Sequence, residues 1–186
     1  MKLAPVSAMV VALLAAAGTA EAAVSVIGNG AAHDCYIKAE YHVFDRSGIG
    51  LCSDALRNDV LSSVDRASTL INRGILKAHA ADLDGALADY GAAIALGANL
   101  GEAYLNRSAT MIALKRYGEA LDDADKAVRL GSTRPEVAYF NRGLANESLG
   151  NIKAAYDDYS AALQAQPRFT AAADQLARFR VVKSGS

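Results

Sequence analysis

The triplet Asn-Arg-Gly at 72–74 returns as Asn-Arg-Ser at 106–108 and again as Asn-Arg-Gly at 141–143. Each copy is followed by an alanine 12 residues on and a second one 7 beyond it. The resulting sets are Gly74, Ala86 and Ala93; Ser108, Ala120 and Ala127; and Gly143, Ala155 and Ala162. They lie 34 and 35 residues apart, a period at which one small unit is stacked on its neighbours because it cannot bury its own apolar face alone. Apolar residues inside a copy recur at helical rather than strand intervals, so each copy is expected to be a helix hairpin. Turns are expected at 81–83, 115–117 and 150–152, with Asn99/Glu102 and Thr133/Glu136 as capping boxes and Pro135 and Pro167 between copies. Closely packed antiparallel helices need small residues at the point of contact. Gly74, Ser108 and Gly143 are therefore expected to meet the alanines of the second helices, with Leu70, Tyr104, Tyr139, Tyr90 and Tyr159 filling the space beside them.

This pattern resembles the tetratricopeptide repeat over residues 67–169, in copies 67–100, 101–135 and 136–169. Ala124 stands where the second copy would carry an aromatic. The resemblance implies an all-α, right-handed solenoid of helix hairpins and a non-catalytic scaffold that binds a protein or peptide segment. Carried across residue by residue, the partner-binding groove comprises Ile71, Asn72, Ile75, Leu105, Asn106, Ala109, Ile112, Phe140, Asn141 and Leu144. Ser68, His79, Glu102, Val137 and Glu147 flank them. An asparagine side chain can both donate to and accept from a bound peptide backbone. Ile71, Ile75 and Val137 occupy places that a carboxylate clamp would fill with polar groups, so such a clamp is not expected. A bare apolar surface of this extent calls for a cover. The two candidates are a partner's amphipathic helix and the chain's own C-terminal helix, and the partner is the favoured one.

Arg73, Arg107 and Arg142 each precede an aspartate by 16 residues: Asp89, Asp123 and Asp158. A constant offset across a hairpin predicts a recurring ion pair. Its expected setting is a solvated shelf, where each pair contributes about 0–1 kcal/mol.

The flanks read differently. Residues 1–22 have the form of a cleavable secretory leader: Lys2, an apolar run from Val6 to Ala17, and the small-residue site Ala20-Glu21-Ala22. Cleavage after Ala22 and export by the general secretory route are expected, to the periplasm or the cell exterior. No bilayer-spanning segment would remain, since the apolar run falls well short of the roughly 20 residues a span needs. Residues 23–66 hold a degenerate hairpin, His33–Tyr41 and Gly48–Asn58. Overlaid on the repeat, it places Cys35 and Cys52, the chain's two cysteines, on facing helices. A disulfide is expected in an oxidising compartment; His33 and His42 could complete a two-Cys, two-His metal set, although the spacing fits no familiar finger. Residues 170–186 would form a capping helix and tail, with the helix running from Arg168 to Val182 and Leu176 and Phe179 turned inward.

Nineteen basic and twenty acidic residues give a net charge of −1 without a basic stripe, which excludes a nucleic-acid footprint. Neither a nucleophile elbow, a zincin motif nor a phosphate-binding loop is present, and Gly28-Asn29-Gly30 is a lone G-x-G outside any strand-to-helix setting. No enzyme activity and no cofactor are expected. The alternative to a peptide-binding scaffold is a self-associating subunit of an envelope assembly, that is, a homo-oligomer.

Overall fold

A computed structural model of the chain describes residues 2–5, 22–26, 30–43, 46–97 and 100–182. The expected leader lies outside these residues except for 2–5 and Ala22, as do Gly28, Asn29, Asn99 and the tail 183–186. The described helices form four hairpins and a cap. They are α1 (Ala31–Glu40) with α2 (Arg46–Asn58), α3 (Ser63–His79) with α4 (Leu83–Ala95), α5 (Gly101–Ala113) with α6 (Tyr117–Leu130), α7 (Pro135–Ser148) with α8 (Ile152–Ala165), and α9 (Thr170–Ala177). Within each hairpin the two helices pack on one another, and each second helix packs on the next first helix. The first helices α1, α3, α5 and α7 also touch in sequence, so they line one face together.

Local chemistry explains most boundaries. Ser62 opens α3, its hydroxyl accepting the Asp65 N–H at 3.0 Å, and Asp82 opens α4 by accepting the Gly85 N–H at 3.0 Å. Of the two expected capping boxes, Asn99 of the first lies outside the described residues, and the second, Thr133 with Glu136, does not form. Leu100 and Arg134 are the N-caps of α5 and α7, and neither makes a side-chain cap bond. Pro135, fixed near helical φ, starts α7 instead. Glu102 reaches instead to the loop between α6 and α7, accepting the Thr133 N–H at 2.8 Å. The intra-hairpin turns share one left-handed position, occupied by Ala81 (φ 62), Lys115 (φ 59) and Gly150 (φ 81).

The close approach inside the hairpins differs from the expected glycine-on-alanine contact. A Cβ at Gly74 would lie 2.5 Å from the Tyr90 ring, and one at Gly143 would lie 2.7 Å from the Tyr159 ring. The small residue makes room for a tyrosine one turn beyond the alanine, and both rings are fully buried. In the second repeat the corresponding pair is Ser108 and Ala124, also fully buried. Ala86, Ala93, Ala120, Ala127, Ala155 and Ala162 are buried throughout, as close helix packing requires.

The arginine–aspartate pairs form in all three repeats, but not on a solvated shelf. Arg73 grips Asp89 through two nitrogens at 2.8 and 2.7 Å, Arg107 grips Asp123 at 2.6 and 2.9 Å, and Arg142 reaches Asp158 at 3.0 and 2.7 Å. The three aspartate side chains are only 4–7% exposed and the arginine side chains 20–24%. Partners from outside the pair satisfy the rest: Ser53 and Lys77 in the first repeat, Asp125 and Asn146 in the third. Such carboxylates are internal struts, and charge-assisted double bonds of this kind are the strong ones. The Asp123 hydrogen bond holds the Arg107 guanidinium above its ordinary pKa.

At the N-terminal end, Cys35 and Cys52 form a disulfide joining α1 to α2. With both sulfurs so engaged, the alternative metal set with His33 and His42 has lost its thiolates, and the described residues contain no cluster of three or more candidate ligands. The His79 ring meets that of His42 edge-on at 6.5 Å. At the C-terminal end the expected long helix stops at Ala177. Residues Phe179–Val182 form a strand (β2) that pairs antiparallel with Lys2–Pro5 (β1), Lys2 opposite Val182. Residues expected to stand outside the fold thus contribute to it. Leu176 and Phe179 still turn inward, packing on the cluster of Phe140, Leu144 and Tyr159.

Candidate functional site: a backbone clamp on the concave face

The face lined by α3, α5 and α7 is not bare. Residues 22–26 lie along it without regular secondary structure, held by two of the three repeated asparagines. Asn72 accepts the Val24 N–H at 2.9 Å and donates to the Val24 carbonyl at 2.8 Å. Asn106 does the same for Ala22, at 3.3 and 3.1 Å. One amide side chain therefore satisfies both backbone groups of one residue. In an extended chain residues i and i+2 point the same way, which is why consecutive repeats catch alternate residues. Val26, the next in that alternation, is buried against Ala32 and Ala55 of the N-terminal hairpin. The segment runs from the second repeat to the first and then to the N-terminal hairpin, opposite to the order of the repeats.

The amides bind backbone, while the groove floor sets side-chain size. Ala22 packs with Leu105, Val137 and Ala138 and beside Phe169. Ala23 and Val24 pack on the cluster that contains Ile71 and Ile75. With residues 22–26 in place Asn72 and Asn106 are almost fully buried, so the segment keeps water off all four of their polar atoms. A satisfied hydrogen bond here contributes about 0.5–1.5 kcal/mol, and the loss of one partner costs more.

The third rung differs. Asn141 donates to the Ser108 hydroxyl at 3.1 Å and to the Leu105 carbonyl at 3.4 Å, and the Ser108 hydroxyl in turn donates to Leu105 at 2.7 Å. Asn141 is drawn sideways onto α5 by a hydroxyl that the glycines of the other repeats do not supply. Further along α7, the Tyr159 hydroxyl donates to Glu147 at 2.8 Å, and Arg178 also reaches Glu147. Burial above all, and then Glu147, push the Tyr159 hydroxyl well above its ordinary pKa.

Of the groove residues read from the sequence, Ile71, Asn72, Ile75, Leu105, Asn106, Phe140, Asn141 and Leu144 are buried, and Ala109 and Ile112 stay partly open. The expected exposed apolar floor is thus covered by the chain itself: by residues 22–26 over α3 and α5, and by Phe169, Leu176 and Phe179 around Phe140 and Leu144. The C-terminal helix is the internal cover expected from the sequence; the N-terminal segment is the one found over α3 and α5. A signal was there: Ala22-Ala23-Val24-Ser25-Val26 places β-branched valines at alternate positions just before Gly28-Asn29-Gly30.

Among the described residues, no helix is long and apolar enough to cross a membrane. The Arabidopsis OM64 TPR domain superposes with a TM-score of 0.60 at 26% identity, covering 63% of this chain and 96% of that one. The fold is the tetratricopeptide-repeat solenoid. The second such domain of human RPAP3, determined in complex with the HSP70 peptide SGPTIEEVD, shares the fold at 23% identity and a TM-score of 0.59, covering 62% and 96% of the two chains. By sequence, a Drosophila pseudoobscura tetratricopeptide repeat protein 36 homolog is 38% identical over 68 residues, 34% of this chain and 37% of that protein. Human serine/threonine-protein phosphatase 5 is 33% identical over 88 residues, 47% of this chain. The chain spans only 17% of the phosphatase's length. No protein-family model matches the chain.

Proposed function

We propose that this protein is an exported, non-catalytic peptide-binding scaffold whose concave groove holds an extended segment of a partner. One observation carries the reading: Asn72 and Asn106 each take both backbone groups of one residue in an extended stretch, which is what a sequence-tolerant peptide site must do. A solenoid domain of the same fold in human RPAP3 has been seen with a bound peptide, which supports the use of this architecture for such a task. The leader-like first 22 residues and the Cys35–Cys52 bond suit an oxidising compartment such as the periplasm or cell exterior.

A photo-crosslinking residue placed at the half-open Ile112, and separately at the exposed Asp122 on α6, tests this in the native compartment. A partner polypeptide is expected on position 112 and not on 122, on a chain whose N-terminus mass spectrometry finds at Ala23. Adducts from 122 alone would move the site to the other face. Adducts of twice the chain's own mass would make the protein a self-associating subunit, which light scattering would confirm.

A further inference from the structure

We infer that residues 22–26 are a built-in plug of the peptide groove, and that cutting the chain after Ala22 opens the Asn106 half of the clamp to a guest. The guest is an extended segment that presents one small, uncharged residue, alanine in size, to Asn106. This deepens the proposed function and rests on its export reading for the cut, but not for the clamp.

The two rungs sit on opposite sides of the Ala22–Ala23 bond. Hydrolysis of that bond by a signal peptidase adds water across it, giving a carboxylate on Ala22 and an α-ammonium on Ala23. Val24 stays on Asn72 through its own N–H and carbonyl, and Val26 stays buried by Ala32 and Ala55. Ala22 leaves with the released leader, and with it go both partners of Asn106. An amide whose donor and acceptor have both lost their partners is an anchoring point for any backbone that can reach it. The new ammonium of Ala23 lies next to where the Ala22 carbonyl sat, so it favours a guest that brings a carbonyl oxygen there.

The surrounding residues limit what fits. Ala22 is 3% exposed and packs among Leu105, Val137 and Ala138, with Phe169 beside them. A charged or large side chain would have to displace that wall. Selection is therefore by size and absence of charge at one position, together with an extended backbone.

The test uses the exported, processed chain, its N-terminus read by mass spectrometry, beside the uncut 1–186 chain. The probe is a fluorescein-labelled amide of Gly-Thr-Ala-Glu-Ala, the sequence of residues 18–22. The processed chain is expected to bind it at least about tenfold more tightly than the uncut chain, as two recovered hydrogen bonds imply. Asn106→Leu in the processed chain should remove that gain with unchanged helical content. A probe with glutamate in place of its last alanine should bind no better than to the uncut chain. Equal affinity for cut and uncut chains, full binding by Asn106→Leu, or a leader fragment that stays bound to the processed chain would overturn the inference. Ala22→Pro in the uncut chain removes the N–H held by Asn106 and should raise probe affinity without any cut. If the exported N-terminus is not Ala23, the export reading fails, while the Ala22→Pro result still decides the clamp.

Discussion

The first and third repeats place a glycine against a buried tyrosine ring, whereas the second pairs Ser108 with Ala124 at the same register. Each arrangement fills the space between helices, one with a ring on the second helix and the other with a hydroxymethyl on the first. They are not functionally equivalent. The serine hydroxyl binds Asn141 and draws it onto α5, while Asn72 and Asn106 are left to hold an extended backbone. A packing solution in one repeat thus decides how many rungs of the asparagine ladder face the groove.

The arginine–aspartate strut is the feature all three repeats share, and its loss should be the largest effect. Asp89→Ala and Asp123→Ala are each expected to cost about 3 kcal/mol, because each removes the carboxylate that a half-buried arginine grips, and Asp158→Ala less, because Arg142 keeps Asp125. Urea unfolding midpoints would show it. Losses near 1 kcal/mol would return the pairs to a solvated shelf.

The packing pairs come next, and here the repeats should diverge. Gly74→Leu and Gly143→Leu should each cost about 1–3 kcal/mol through overpacking against a ring. Ala124→Tyr should cost a similar amount, and Ser108→Gly in the same chain should recover part of it by rebuilding the pair of the other repeats. Each single change measured alone, and then the two together, gives the coupling directly. Additive losses would show that the two positions do not share one space.

Tyr159 sharpens the comparison through pH. Its hydroxyl has a raised pKa in the folded chain, so the stability it adds is complete below the ordinary tyrosine value of about 10 and is lost as pH rises past it. The urea midpoint should fall between about pH 8 and about pH 11, and Tyr159→Phe should flatten that fall. The smallest effect concerns the turns, where Gly150 occupies a left-handed position that Lys115 and Ala81 hold at a steric cost. Lys115→Gly should stabilise the second repeat by about 0.5–1 kcal/mol and Gly150→Ala should destabilise the third by about 1 kcal/mol, both visible in thermal midpoints.

Much of the fold could be read from the sequence because stacking forces a period on the chain. Gly74, Ser108 and Gly143 recur where helices must touch, and the offset from Arg73 to Asp89 returns unchanged. The pairing of glycine with Tyr90 rather than Ala86 was not legible, since positions one turn apart on a helix share a face and periodicity cannot choose between them. The burial of the three aspartates was hidden for a similar reason: charge spacing gives a partner, not a depth. The candidate site was half visible. Asn72 and Asn106 stood out by repetition, but their ligand is a non-repeating stretch 48 and 84 residues away in sequence. A contact of that range leaves no periodic trace.

The direction of residues 22–26 gives the groove a polarity. Beyond Val24 the floor is closed by Val26, buried on Ala32 and Ala55 of the N-terminal hairpin. Among the described residues the groove is therefore closed at the end nearest the N-terminal hairpin. A guest running the same way as the built-in segment would arrive at Asn106 with its carboxyl end foremost, and its reach would end there. Under the proposed function such a site would favour a chain end, free or amide-capped, over an internal stretch that has to continue past Asn106.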